Sequence, residues 1–363
     1  METNKNAVRD GSMDMLKFCL AMAVILFHGT KIYRGDASTL FRQGASAVEG
    51  FFIISGYYMA KAGIERKSES LDFIKSRIFG IFPHHIFAFV IAFFVTAYLQ
   101  GLFSPLDAGH IKSILMLGIG AVPEFLILPP IGGIAYSQAA IINMEWYLGA
   151  LFLGMALIYP FILKYGDKFC SYAAPLIFMF CSGWLYQNVG TYRVTWSFGQ
   201  FVSRSLVRSV AMLCMGVFVY WLSTHTKEIK SNGYKVLFTI ISAGCWYASF
   251  KFFDSHLPKD RIFAIVYLMG IGVLLEAKKG TLFSDLFNNK VSTFLGKISF
   301  PMYLNQNWVR RLMIRAKLSW SYPKCMLVFL GVTLLFSLLS LLLAHLYKKY
   351  RAKKREATSA TTQ

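Results

Sequence analysis

The sequence predicts an all-α polytopic membrane protein with about ten transmembrane helices and both termini cytoplasmic. Three observations carry this expectation. Hydrophobic residues make up 56% of the 363 residues and charged residues only 15%, against roughly 25% charged in a soluble domain. The apolar residues gather in blocks of roughly 20, the helix length that crosses a hydrocarbon core of about 30 Å. Strand-like alternation is absent, so helices rather than a barrel satisfy the backbone in lipid.

The apolar blocks lie near 15–33, 47–63, 81–103, 111–131, 145–163, 171–189, 204–223, 235–253, 261–277, 292–309 and 325–347. The first follows Arg9 and Lys17, and its small-x-small triplet Ala21-Met22-Ala23 comes too soon after Phe18 to end a signal-peptide core, so the helix is expected to remain in the mature chain. The second carries Glu49 and a Ser55-Gly56 pair, whose small side chains suit close helix approach. The third opens on Pro83, His84 and His85. The fourth is interrupted by Pro123, Glu124 and the Pro129-Pro130 pair; proline removes hydrogen bonds that lipid cannot replace, so this block is read as interfacial or re-entrant. The remaining seven read as spans.

With the N-terminus inside, most basic residues outside the blocks fall in inner loops and the tail. The loop 310–324 is the exception. It carries Arg310, Arg311, Arg315, Lys317 and Lys324 on the outer side, so either it binds something anionic or 292–309 does not cross. Neither repeats nor a soluble insertion are visible, and 1–350 reads as one integral membrane domain followed by a basic, disordered cytoplasmic tail, 351–363.

The net charge of +20 raises nucleic-acid binding as a function class, but the basic residues sit in short loops and in the tail "KKYRAKKREATSATTQ", where they set topology and contact anionic lipid. The expected partner is the bilayer, not nucleic acid. The six cysteines lack CxxC spacing and read as packing residues. Without a Walker-type glycine loop, zinc-ligand spacing or a GxSxG elbow, phosphoryl-transfer motors, metallohydrolases and ordinary serine esterases lose support, and no metal is expected.

A charge near the bilayer centre costs roughly 2.5–3.5 kcal/mol, so each ionisable residue in an apolar block needs a partner, a wet cavity or a way to snorkel. His28, in "MAVILFHG", can be neutral, and packing or interfacial anchoring is the structural alternative to chemistry. Lys17 lies eleven residues before it, about 20° away around the axis and about 16 Å along it, and Asp14 shares that side. A polar stripe thus runs from the cytoplasmic end to an imidazole, as a cleft entered from the cytosol would need. Glu49, beside Phe51 and Phe52, is costly unless paired and is the candidate to orient His28, a candidate general base. Lys75 and Arg77 read as a positive-inside anchor or a phosphate clamp. Glu145, Trp146, Arg204 and Arg208 open outer helix ends and are candidate substrate-binding residues, with snorkelling as the alternative for the arginines.

Several stretches resemble one family. "MDMLKFCLAMAVILFHG" is similar to the opening helix of the acyltransferase family 3 membrane O-acyltransferases, in which a basic residue, usually Arg and here Lys17, precedes an essential histidine by eleven positions. "AVEGFFIISGYY" resembles that family's acidic, Phe-Phe, Ser-Gly pattern. "KSRIFGIFP" resembles its Arg-x-x-Arg-x-x-Pro stretch, with Arg77 and Pro83 matching and Gly80 where the second arginine is expected. "EWYLGALFL" and "FLGKISFPMYLNQNWV" resemble its Trp-aromatic-Leu segment and its late helix, with Gln306 where histidine is common.

The resemblance implies a multi-pass enzyme of the cell's cytoplasmic (inner) membrane. It would transfer an acyl group, usually acetyl, from cytoplasmic acyl-CoA (acetyl-CoA as co-substrate) to a hydroxyl of a cell-envelope polysaccharide or lipid-linked sugar precursor. In that reading Lys17, Lys75, Arg77 and Lys297 hold the cofactor phosphates, the pantetheine arm runs along the Lys17–His28 face, and His28 is the base with Glu49 behind it. A transporter or flippase for a lipid-linked glycan, or an inactive family member, is the alternative.

Overall fold

The structure, a computed structural model, describes residues 10–32, 44–104, 107–127, 141–142, 144–192, 203–229, 231–251, 259–317 and 320–361; the side chains of 145, 259–262 and 351–361 lie outside this set. Among the described residues the regular structure is all helical, and the helices follow the apolar blocks in order: α1 Gly11–Gly29, α2 Ala47–Lys61, α3 Ser70–Leu99, α4 Ala108–Phe125, α5 Glu145–Tyr165, α6 Ala174–Asn188, α7 Arg204–His225, α8 Asn232–Lys251, α9 Lys259–Ala277, the short α10 Leu282–Leu286, α11 Lys290–Ala316 and α12 Tyr322–Thr361. A π turn at Ala62–Arg66 follows α2 and another at Phe169–Ala173 precedes α6. Capping is local: Asp10 accepts from the amides of Ser12 and Met13, and Asn289 from that of Ser292.

Six helical segments among the described residues are long and apolar enough to cross a membrane: α1, α3, α7, most of α5 (Trp146–Tyr165), Phe169–Asn188 and Tyr322–Tyr350 of α12. This falls short of the ten expected from block counting, and the reason is polarity and length. The α helix α2 stops after 15 residues, the apolar part of α9 is short, and α11 carries Asn305, Gln306, Asn307, Arg310 and Arg311 in its second half. The interrupted block near 111–131 forms α4, with Pro123 inside its last turn; Pro129 and Pro130 lie outside the described residues. A further difference is at the C-terminus. The helix α12 continues through Thr361, into the segment expected to be a disordered tail, because its Lys, Arg, Ala and Glu residues favour helix and no Gly or Pro follows Gly331 to break it.

Two parallel helix pairs organise the interior. Along α1 and α11, the Gly11 amide donates to Asn288 Oδ1 at 3.2 Å, and further on Gly296 lies directly against the Asp14 side chain. A Cβ at 296 would collide there, so glycine lets the backbones close. Fourteen residues on, about 21 Å along each axis, position 28 is level with position 310. The helix α11 therefore travels beside α1 through its full depth, and the basic loop after it leaves at the His28 end.

The second pair is α2 with α7. Gly56 abuts the Leu213 carbonyl and Gly216 abuts the Ile53 carbonyl, each a position where a side chain has no room. Near the N-terminal end of this pair, Arg208 donates from Nε and Nη2 to Glu49 Oε1 at 2.9 and 2.7 Å, with both side chains buried. Glu49 also sits in the first turn of α2, where the helix dipole favours a carboxylate.

Other helices pack around these pairs. Ser209 of α7 donates to the Ala150 carbonyl of α5, Phe73 of α3 stacks on Tyr159 of α5, and Trp308 of α11 meets Phe336 of α12 edge-on. The windows of α5 and α7 are 67% buried, whereas α3 and α12 turn most of their apolar surface outward. Phe180, at 76% exposed, and Leu327, at 73%, are what a lipid-facing surface looks like.

Two measurements check this packing. Gly216→Leu should lower the yield of monodisperse protein and its melting temperature in detergent, because the new side chain meets backbone and overpacking costs about 1–3 kcal/mol. Gly183→Leu, with nothing within 4 Å of its Cβ position, should melt like wild type. For the buried ion pair, Glu49→Ala should destabilise by about 3–5 kcal/mol by stranding the guanidinium, and adding Arg208→Met should recover much of that loss. Equal melting of the single and double variants would refute the pairing.

Candidate active site

A cavity of about 600 Å³ opens between α1, α2, α3, α5, α11 and α12, within the range of small-molecule sites. One end is basic. Lys17 from the start of α1, Arg77 from α3, Lys297 from α11 and Lys348 from α12 line it together with His84 and His345, and no carboxylate is among its described lining residues. Lys17 is held by Asp14, at 3.1 Å, and lies over the Tyr58 ring at 4.6 Å. Arg77 lies over Phe73 at 5.0 Å. Ring contacts of this kind fix a long cation while leaving its donors facing the opening. Gly80 also lines the wall, with nothing within 4 Å of its Cβ position.

The other end is aromatic. Phe51, Tyr147 and Tyr303 contact one another edge-on with centroids 5.7 to 6.3 Å apart, and Tyr147 shares a hydrogen bond with Ser55, another lining residue. These rings line the cavity, and His28 does not.

His28 occupies the last turn of α1, half-buried, with its ring edge-on to Phe27 at 5.1 Å. Its Nδ1 is buried and has no hydrogen-bond partner among the described residues. Two cations, Arg310 and Lys31, act on the ring electrostatically. Arg310 is positioned by Asn307, whose Oδ1 accepts from Nε at 3.1 Å and from Nη2 at 2.7 Å. Asn307 in turn donates to the Ile142 carbonyl at 2.6 Å. Next to it, Arg311 donates to Thr96 Oγ1 of α3 and to the Ile141 carbonyl, and Glu124 of α4 accepts from the amides of Ile141 and Ile142. This network ties α3, α4 and α11 to the segment leading into α5. Each backbone group of residues 141–142 that bonds here would otherwise face an apolar interior.

The structure brings together three of the four residues expected to hold phosphates: Lys17, Arg77 and Lys297. Lys75 is exposed on α3 and does not line the cavity, because its two-residue offset from Arg77 turns it about 200° around the helix. Glu49 does not orient His28: its carboxylate is engaged by Arg208, and no hydrogen bond joins it to the imidazole. The expected open stripe between Lys17 and His28 is also closed, since Ala21, Val24 and Ile25 are buried in helix packing.

Among the acceptor-side candidates, Trp146 stacks on Arg208 at 5.0 Å, forming one buried unit with Glu49. Arg204 is half-buried one turn earlier, and the Glu145 side chain lies outside the described residues. Gln306 donates from Nε2 to the Tyr303 carbonyl within its own helix, at 3.0 Å. Sequence reasoning missed Lys348, His345 and the Asn307–Arg310 unit as site residues. The cluster of basic residues in 310–324 hinted only at Arg310. Among the described residues no group of three or more His, Cys, Asp or Glu is placed to hold a metal ion.

The comparison with protein families gives one match, to a family model described as an acyltransferase domain, over residues 10–347. No curated protein and no solved structure matches the chain. The match spans nearly the whole sequence, including every helix that builds the cavity and the His28 end, and the chain belongs to acyltransferase family 3.

Proposed function

We propose that this membrane acyltransferase moves an acetyl group from cytoplasmic acetyl-CoA to a hydroxyl of an envelope glycan or its lipid-linked precursor. The observation that supports the reading best is the basic cavity mouth. Four cations from four helices converge on one opening with no carboxylate among its described lining residues, as a nucleotide carrying several phosphates requires. In this reading α2, α8, α9 and α11 also cross the bilayer, and the Lys17 end of the bundle is cytoplasmic.

The phosphates rest against Lys17, Arg77, Lys297 and Lys348, and the thiol arm follows the cavity past Ser55. Because Phe51, Tyr147 and Tyr303 line the cavity and His28 does not, these rings turn aside when the thioester advances toward His28. His28 then takes the proton of the acceptor hydroxyl as general base. Glu49, paired with Arg208, holds α2 and α7 in place behind the site and acts as a positioning residue.

Two experiments test the proposal. Purified protein in nanodiscs, supplied with acetyl-CoA, should show acyl transfer that falls about 10²- to 10⁴-fold in His28→Ala, and glycan mass spectrometry of matched strains should show loss of O-acetyl groups. Unchanged O-acetylation at normal protein levels would sink the reading and favour a transporter. At the mouth, Lys348→Ala should raise the KM for acetyl-CoA about tenfold with kcat nearly constant. Gly80→Arg, which has open space for a side chain, should lower that KM severalfold.

A further inference from the structure

We infer that Arg310, held by Asn307, is a catalytic residue that faces His28 and stabilises the oxyanion formed when an acceptor alcohol attacks the acyl thioester; this rests on the function proposed above.

The geometry starts from the α1–α11 contact. With Gly296 against Asp14, the two parallel helices keep equal rise, and positions 28 and 310 arrive at the same level. The guanidinium is oriented rather than free to wander. Nε and Nη2 both reach Asn307 Oδ1, and Asn307 is itself fixed by its bond to the Ile142 carbonyl. No other hydrogen-bond partner for Arg310 occurs among the described residues, so Nη1 and the second Nη2 hydrogen remain for a ligand. Its neighbour Arg311 is different, being committed to Thr96 and the Ile141 carbonyl. On the histidine side, Nδ1 is buried and unpartnered, and no carboxylate bonds the ring. A neutral base and an oriented cation therefore share one partly buried space at the end of α1.

The step balances as follows. His28 accepts the proton of the acceptor hydroxyl while its oxygen bonds to the thioester carbonyl carbon, and the carbonyl π pair moves onto oxygen beside Arg310. Collapse re-forms the carbonyl and breaks the carbon–sulfur bond. The departing thiolate takes the proton from the His28 imidazolium, which yields an ester, a free thiol and neutral histidine. Charge appears on the oxygen only in the transition state and intermediate, where a fixed donor in a poorly solvated site acts most strongly.

The test compares wild type, His28→Ala, Arg310→Gln, Arg310→Lys and Asn307→Ala in nanodiscs, with acetyl-CoA and extracted lipid-linked glycan, reading kcat and KM separately. Arg310→Gln should lose about 10²- to 10³-fold in kcat with the KM for acetyl-CoA within threefold of wild type. Asn307→Ala should lose kcat in the same sense but less, and Arg310→Lys should recover part of the loss while melting like wild type. A kcat within threefold of wild type in Arg310→Gln, or a loss confined to KM, overturns the inference while His28-dependent turnover stands. Should Arg310→Gln fail to fold, an unchanged kcat in both Arg310→Lys and Asn307→Ala overturns it equally. Absence of His28-dependent transfer in wild type overturns this inference together with the reading beneath it.

Discussion

The close, parallel contact of α1 with α11 is the constraint on which the rest of the architecture depends. It is made possible by a missing side chain at Gly296, against which Asp14 rests. Asp14 is also the partner of Lys17, so the same contact that joins the helices aims a cation at the cavity mouth. Because both helices rise at one rate per residue, a single fixed point at the Lys17 end determines what meets at the other end. There the imidazole of His28 is level with Arg310. Shifting the register by one residue would rotate every α11 side chain by about 100° and separate the two.

Around that axis most polar groups removed from water are paired. Glu49 and Arg208 neutralise each other and cover Trp146, and Glu124 receives the amides of Ile141 and Ile142. Asn307 joins a carbonyl on one side to a guanidinium on the other. Nδ1 of His28 is one of a few buried side-chain atoms without a hydrogen-bond partner among the described residues. In the proposed reaction the acceptor hydroxyl would supply that partner.

The two chemical ends of the molecule differ in a way that suits two dissimilar substrates. The cavity mouth gathers four long cations, two of them, Lys17 and Arg77, resting on aromatic rings. The His28 end has shorter reach and fixed geometry, with arginines committed to named acceptors. Between them lies a cluster of three rings. In the proposed reaction such a partition would keep water and unreacted thioester away from His28 until both substrates are in place.

The sequence by itself determined the helices and their order, because apolar block length and the cost of an unpaired backbone in lipid are local properties of the chain. It also grouped Lys17, Lys75, Arg77 and Lys297 as basic residues beside apolar helices, and three of the four line one cavity while Lys75 does not. It misassigned Glu49 to His28, since depth along separate helices says nothing about which pair of side chains meets; the α2–α7 glycine contacts decided in favour of Arg208. It also left Arg310 as an anomaly in an outer loop and gave no sign of Lys348. Their roles depend on α11 and α12 returning beside α1 and α3 from nearly 300 residues away, and only tertiary packing places such distant residues in one cavity.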